Sequence, residues 1–332
     1  MASKPKRFPV HSVNKREYPP DWQGEVFTCD IDRTYLDTRF SSLEGIARIP
    51  FEGALDKVTI PGMAQLLKEV RRGPTMVSRQ TPIYFVSSSP NQLRRVLERK
   101  FLLDGIEFDG TTFKNWGALL RRGRFSGLKK QVSYKLAALL GNRAALPPGA
   151  REILLGDDLE VDPIIYGLYR RILSGEITMR ELPAVLARHG VSADDARGIA
   201  ELKLRAGGNM PGGVVRALIR TERTENPEAF LASWPWLAPC HDAFQMALVL
   251  WDQGSIGAGG AMRVARNLRL FDVSPGSLET SLREMVRRGL LSAEQVDELA
   301  VLLEEQGLCR IQGPLPEVDP AWAAVGAGRS SG

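Results

Sequence analysis

Cysteine and histidine are scarce in this chain of 332 residues, which contains three of each. The cysteines are far apart and show no C-x-x-C spacing, and the histidines are scattered. This scarcity argues against a disulfide framework and against a zinc site built from cysteine and histidine. The six residues are Cys29, Cys240, Cys309, His11, His189 and His241.

Long hydrophobic runs are also absent. The longest candidate, residues 243–251, is interrupted by Gln245 and falls short of the ~18–20 residues that a membrane span needs. The first residues are basic, but Pro9 and His11 lie where a signal peptide would have its apolar segment. We therefore expect a cytoplasmic protein without a transmembrane segment, which would meet a membrane only peripherally.

The overall composition is ordinary for a soluble protein, with 43% hydrophobic and 25% charged residues. The length leaves room for about two domains. The net charge of +5 suits an anionic partner such as a phosphate ester, a nucleic acid or a membrane surface, and it equally fits an ordinary soluble surface. One local basic cluster is a candidate for steering anions: Arg121, Arg122, Arg124, Lys129 and Lys130.

Two acidic clusters are the most informative feature of the sequence. Asp30 and Asp32 follow the short apolar run 26–29, and Asp157 and Asp162 follow a second run at 153–155. Such runs are typical of buried parallel strands, whose carboxyl ends are where ligands gather in an open sheet. Carboxylates delivered there repel one another unless they surround a cation, so the clusters point to Mg²⁺-dependent phosphoryl chemistry.

The segment between about residue 25 and residue 173 alternates short apolar runs with amphipathic stretches. Residues 83–86 predict another strand, and helices are predicted over 63–71, 92–103 and 134–140. Alternation of strands and helices predicts an α/β fold with a doubly wound parallel sheet.

Beyond about residue 175 the pattern becomes helical, and no strand is predicted. We expect helices over residues 182–189, 193–204, 211–219, 241–250, 261–267, 278–288 and 293–306. The predicted organisation is a basic N-terminal arm (1–22), a catalytic domain (23–174), an all-helical accessory domain (175–312) and a flexible tail (313–332) rich in Pro, Ala, Gly and Ser.

The order of four motifs resembles the haloacid dehalogenase-like phosphohydrolases. These motifs are D-x-D-x-T at residues 30–34, a strand ending at Ser87, then Lys135, and then Gly-Asp at 156–157 with Asp162. Each motif alone is weak, because Asp, Ser and Thr are common where strands end and turns begin. Their joint order makes the resemblance specific.

The resemblance implies a role for each residue. Asp30 would be the nucleophile, Asp32 the general acid and base, and Lys135 a catalytic cation. The expected phosphate ligands are Thr34, Ser87 and Lys135. The expected ligands of Mg²⁺ are Asp30, Asp32, Asp157 and Asp162.

Finer details resemble the catalytic domain of the actin-patch-type phosphatidate phosphatases. The chain reads FVSSSP at 85–90, KNW at 114–116 and GDDLEVDPIIY at 156–166, where that family carries YVSxSP, an RDW-like element and GDSGxxDPExY. It departs from the family at Arg33, where the family usually has Asp, and at Asp158 and Leu159. The resemblance covers residues 25–172 and implies a phosphatidate-type lipid substrate.

The connections 38–83 and 87–135 are too short to hold a separate lid of typical domain size, ~50 residues or more, so a minimal cap and an open site are expected. An open site equally fits a phosphatase that acts on nucleic-acid ends or phosphoproteins. A third reading is a catalytically weak module that recognises phosphorylated partners, with the helical region as its interaction platform. Retention of all the expected catalytic residues argues against this third reading.

Overall fold

The structure is a computed structural model, and it describes residues 8, 10–38, 54–115, 128–207, 210, 212–222, 234, 236–320 and 322. The basic cluster at 121–130 lies outside the described residues, apart from the helical backbone of residues 128–130. The aromatic residue of the KNW element, Trp116, also lies outside them. Within the described part, no helix is both long and apolar enough to cross a membrane.

In the part of the chain that the structure describes, seven strands form a sheet in the order β1-β4-β3-β2-β5-β6-β7. β2 pairs in parallel with β3 and with β5, β3 pairs in parallel with β4, and β1 pairs antiparallel with β4. The strands are β1 Val10–Asn14, β2 Gly24–Asp30, β3 Ile83–Pro90, β4 Gly110–Lys114, β5 Ala150–Asp157, β6 Val214–Arg220 and β7 Leu237–Cys240. The predicted α/β architecture with a mostly parallel sheet is therefore confirmed.

The three predicted apolar runs lie in the centre of this sheet. Phe27 of β2 is in register with Ile83 on one side and with Ile153 on the other. Consecutive residues of β2 are buried, as expected for a parallel strand that is covered on both faces. β1 lies at the edge with β4 beside it, and both were missed because their sequences VHSVN and GTTFK show no apolar run.

Ten α-helices connect and follow the strands in the described residues. They are α1 Met63–Arg72, α2 Arg94–Leu103, α3 Leu128–Arg143, α4 Asp162–Ser174, α5 Leu182–Arg188, α6 Ala193–Arg205, α7 Ala243–Asp252, α8 Ala258–Arg269, α9 Pro275–Arg287 and α10 Ala293–Glu305. Short 3-10 helices occur at Ala54–Asp56 and Asn91–Leu93. Apart from the segment 211–219, each helix expected from the sequence overlaps an observed helix.

The expectation of an all-helical C-terminal region is wrong. Residues 211–219 were expected to be helical, but the observed element is strand β6, and β7 follows it at Leu237–Cys240. A short apolar run such as VVRALIR fits a helix or a strand equally well by periodicity. Pairing within the sheet decided the outcome, and the β-branched Val214, Val215 and Ile219 suit a strand.

The chain divides into two compact units that do not follow the order of the sequence. The first comprises the described residues within Met1–Val58, Pro82–Leu103 and Phe108–Ala217, and the second those within Thr59–Thr81, Asp104–Glu107 and Leu218–Gly332. Helix α1 therefore belongs to the second unit, although it lies between β2 and β3 in the sequence. There the buried carboxylate of Glu69 on α1 accepts two hydrogen bonds from Arg263 on α8, at 2.7 and 2.6 Å.

Candidate active site

The candidate site is at the carboxyl ends of three adjacent strands of the first unit. β2 ends at Asp30, which is in register with Val86 of β3, so Ser87 follows directly beside it. On the other side, Cys29 is in register with Leu155, two residues before Asp157. The chain reaches β3 and β4 on one side of β2 and then crosses to β5 on the other, and ligands bind at such a reversal of strand order.

Lys135 of α3 is the cation at the centre of the site, and only 2% of its side chain is exposed. Its Nζ lies 2.7 Å from Asp30 Oδ1 and 2.7 Å from Glu160 Oε2. It also donates to Asp162 Oδ1 at 2.5 Å. A buried ammonium needs such charged partners, because moving it out of water without them costs on the order of several kcal/mol.

Burial and the interactions between charged side chains shift the pKa values of the site residues. Burial by itself would lower the pKa of Lys135, but Asp162, Asp30 and Glu160 outweigh this and raise it well above the usual value. Burial raises the pKa of Asp30 well above the usual range for aspartate, and Lys135 only partly opposes this shift. Burial and the nearby Asp162 raise the pKa of Asp157 to about 7.

The donor set of the site fits a divalent cation. Carboxylate oxygens of Asp30, Asp157, Glu160 and Asp162 all lie within 4.8 Å of one another. One ammonium does not balance four carboxylates, and Asp30 Oδ2 is buried without accepting a hydrogen bond from any described residue. Hard oxygen donors with excess negative charge are what Mg²⁺ and similar ions bind. The arrangement is therefore one that could hold a divalent metal.

Asp32 is held apart from this group by two serines. Its Oδ2 accepts a hydrogen bond from Ser87 Oγ at 2.9 Å and another from Ser89 Oγ at 3.1 Å. The backbone N–H of Ser89 in turn donates to Ser87 Oγ at 3.0 Å. Burial raises the pKa of Asp32, while the two serine hydroxyls act in the opposite direction.

The turn after β5 is organised by its own acidic residues. Asp157 Oδ1 accepts backbone N–H groups of Leu159 and Glu160 at 2.8 and 2.9 Å. Asp162 begins α4, and its carboxylate lies against Gly156: a Cβ added at Gly156 would lie 2.7 Å from Asp162 Oδ2. A glycine is required there because the carboxylate of Asp162 occupies the space of a side chain.

Two tyrosines fix the strand ends that carry the site. Tyr134, next to Lys135 on α3, donates its hydroxyl to the carbonyl of Ser87 at 2.6 Å. Tyr166 on α4 donates to the carbonyl of Leu155 at 2.8 Å. Both hydroxyls are buried, and each ties a helix to the end of a strand that carries a predicted site residue.

All predicted site residues come together in the first unit. Asp30, Asp157 and Asp162 lie in the carboxylate group around Lys135, while Asp32 and Ser87 lie beside it. Thr34 is fully buried, and its Oγ1 donates to Asp157 Oδ2 at 3.4 Å. The roles assigned to these residues stay predictions.

The site also contains two residues that were not predicted. Glu160 contacts Lys135, and Ser89 contacts Asp32. Both lie within recognised motifs, but at positions where a turn residue would also fit, so nothing in the sequence distinguished them. Arg33 adopts φ 62°, in the left-handed region that Asp and Asn enter more readily than Arg.

One known protein family matches part of the chain. Residues 26–179 match the family described as the catalytic domain of phosphatidate phosphatase APP1. The chain is a phosphatase. The match includes every residue of the site and leaves residues 180–332 outside. No curated protein and no solved structure matches the chain.

Gly156→Ala tests whether the close approach of Asp162 matters. A methyl group there would also lie 2.8 Å from the ring of Tyr166, so we expect the unfolding free energy to fall by about 1–3 kcal/mol. Displacement of Asp162 should reduce phosphatase activity about a hundredfold. Urea unfolding and a phosphate-release assay measure the two effects.

Gly141→Ala is the matched control, because among the described residues no atom outside the adjoining helix backbone lies within 4 Å of a Cβ added there. It lies within α3, where alanine is favoured over glycine by about 1 kcal/mol, so the variant should be active and no less stable. A Gly156→Ala variant as stable and active as this control would contradict the proposed packing.

Proposed function

We propose that the chain is a Mg²⁺-dependent phosphomonoester hydrolase that forms an aspartyl-phosphate on Asp30 and acts on a phosphatidate-type lipid. The observation that carries the proposal is how the two carboxylate oxygens of Asp30 are surrounded. Its Oδ1 faces the Lys135 ammonium at 2.7 Å, while Oδ2 is buried and accepts no hydrogen bond from a described residue. A carboxylate oxygen that is held in place but has no donor can act as a nucleophile.

The first chemical step would be attack by Asp30 Oδ2 on phosphorus. The new O–P bond forms as the bond to the leaving alcohol oxygen breaks, and that oxygen takes the electron pair together with a proton from Asp32. The raised pKa of Asp32 favours the protonated form needed at this step. Lys135 balances the charge of Asp30 and of the incoming phosphate.

The second step would be hydrolysis of the aspartyl-phosphate. Asp32, now ionised, takes a proton from water as the water oxygen bonds to phosphorus, and the Asp30 carboxylate is released. The hydroxyls of Ser87 and Ser89 hold Asp32 in one orientation for both steps.

A divalent ion would be held by Asp30, Asp157 and Asp162, with Glu160 close by and Asp32 two residues after Asp30 at the end of the same strand. When bound, it supplies positive charge that offsets the phosphate oxygens and the clustered carboxylates. Mg²⁺ is proposed because it prefers oxygen donors and the set contains only carboxylates.

The proposed fold family is the haloacid dehalogenase-like group with a minimal cap. Counting from β2, the strand order is 3-2-1-4-5-6, which is the order of doubly wound folds. The nucleophile at the end of the first of these strands and the acidic turn after the fourth support this assignment. Phosphatidate as substrate is supported by the family match.

Asp30→Asn tests the nucleophile and the substrate together. Because the amide cannot attack phosphorus, we expect release of phosphate from phosphatidate in mixed micelles to fall by about three orders of magnitude or more. Asp37→Asn changes an exposed carboxylate of the same loop and should retain activity.

The same assay is run with phosphorylated oligonucleotides and phosphopeptides. If the wild-type protein releases phosphate from these substrates and not from phosphatidate, it is a phosphatase of nucleic-acid ends or phosphoproteins and the proposed lipid substrate is wrong. Near wild-type activity of the Asp30→Asn variant would exclude the aspartyl-phosphate mechanism.

Removal of the metal should abolish turnover and leave the carboxylates free to bind protons. The pKa of Asp157 is raised to about 7 in the metal-free protein, so a proton competes with the ion below that pH. We therefore expect Mg²⁺ affinity, measured by titration calorimetry, to weaken as pH falls below 7. Asp162→Asn should weaken Mg²⁺ binding, and undiminished turnover after verified metal removal would contradict the site.

Ser89→Ala tests the orientation of Asp32. An alkyl phosphate needs a proton on its leaving oxygen, but the nitrophenolate of p-nitrophenyl phosphate leaves without one. Hydrolysis of the aspartyl-phosphate is common to both substrates, so the first step is measured alone, as pre-steady-state release of the leaving group. We expect its rate to fall about tenfold for phosphatidate and to change little for the aryl ester. Ser89→Thr, which keeps the hydroxyl, should restore activity, and Ser12→Ala removes a comparable hydroxyl contact at the edge strand. An equal loss of this first-step rate for both substrates would show a merely structural role.

A further inference from the structure

Four strongly exposed hydrophobic side chains of the first unit lie on two neighbouring segments. Leu55 and Val58, in and just after the first 3-10 helix, are 85% and 63% exposed. Leu102 and Leu103, at the end of α2, are 69% and 56% exposed. Clustered exposure of large apolar side chains marks an interaction surface more often than scattered exposure does. We call these four residues the apolar patch.

Contacts show that the two segments adjoin. The 3-10 helix Ala54–Asp56 contacts α2. The hydroxyl of Thr59 donates to Asp104 Oδ2 at 2.6 Å, and these two residues directly follow Val58 and Leu103 in the chain. The segments that carry the four side chains therefore adjoin.

The helix that carries half of the patch is basic. α2 contains four basic residues and one acid, Glu98. Glu98 is not free, since it accepts a hydrogen bond from Thr111 and pairs with Arg94. The exposed basic residues are Arg95 and Arg99, one turn apart on the side of the helix away from the buried Leu97. Asp56 is an exposed acid of the adjoining 3-10 helix, so the balance of the surface stays positive.

The patch also adjoins the loop that carries the general acid. The backbone N–H of Asp37 donates to the carbonyl of Val58 at 2.9 Å, five residues after Asp32. From the same loop, the ring of Tyr35 packs on Phe101 of α2 with centroids 5.3 Å apart. The loop that leaves β2 at the site thus rests on the elements that present the patch.

We propose that the apolar patch and the exposed arginines of α2 form the surface by which this enzyme docks on an anionic bilayer. Arginines on a helix that ends in exposed leucines suit such a surface. Their guanidinium groups remain among headgroup phosphates while the apolar side chains enter the acyl boundary. The proposal rests on the proposed lipid substrate, because a bilayer-embedded substrate requires the protein to bind where the substrate lies.

The test separates binding from turnover. Binding of wild type and of the double variant Leu102→Ser/Leu103→Ser is measured by co-sedimentation with vesicles of phosphatidylcholine and phosphatidylglycerol. We expect the variant to bind about tenfold more weakly or worse and to lose turnover of phosphatidate in vesicles to a similar extent. Its kcat/KM for a soluble short-chain phosphate ester should be unchanged, because none of these side chains belongs to the site.

The matched control is Met76→Ser/Val77→Ser, which removes two apolar side chains that are 99% and 80% exposed in the second unit. It should bind vesicles as wild type does. Arg95→Glu/Arg99→Glu should weaken binding most at low salt, where attraction between exposed charges is least screened.

Two results would overturn the proposal. One is unchanged vesicle binding by the leucine variant. The other is a wild-type dimer, seen by sedimentation velocity, that the leucine variant dissociates, since a second copy would then occupy the patch. Failure of the proposed function would give a different result: the wild-type protein would release no phosphate from phosphatidate, either in vesicles or in mixed micelles.

Discussion

The interaction on which the candidate site depends is the burial of the Lys135 ammonium among three carboxylates. Asp30, Glu160 and Asp162 come from a strand end, a turn and the start of a helix, and the same Nζ contacts all three. Without this cation, the carboxylates would repel one another at close range in a medium that screens charge poorly. One positive charge does not neutralise the clustered carboxylates, which is why the site suits a divalent ion.

The sheet determines why these groups meet. β2 lies between β3 and β5, so the residues that end three strands become neighbours although they are spread over residues 30 to 157 of the chain. Tyr134 and Tyr166 then fix the ends of β3 and β5 through buried hydrogen bonds to carbonyl groups. Gly156 leaves the space that the carboxylate of Asp162 fills. Strand order brings the groups together, and local packing sets their distances.

The family match and the compact units do not have the same boundaries. The match spans residues 26–179, but residues 59–81 within it belong to the second unit. The pair of Glu69 and Arg263 shows the reason: a buried carboxylate on α1 finds its partner on α8, almost two hundred residues later. An insertion between two strands of the catalytic sheet is thus stabilised by residues outside the matched region. Removing the C-terminal part would leave Glu69 without this partner.

The sequence by itself determined the central strands and the candidate residues at their ends, because continuous apolar runs and acidic turns are local signals. It did not determine β6, since a run such as VVRALIR becomes a strand only when a sheet edge is available to pair with it. Nor did it reveal that Ser89 contacts Asp32, or that Glu160 shares Lys135 with Asp30. Those contacts join segments far apart in the chain, and only the folded sheet brings them within hydrogen-bonding distance.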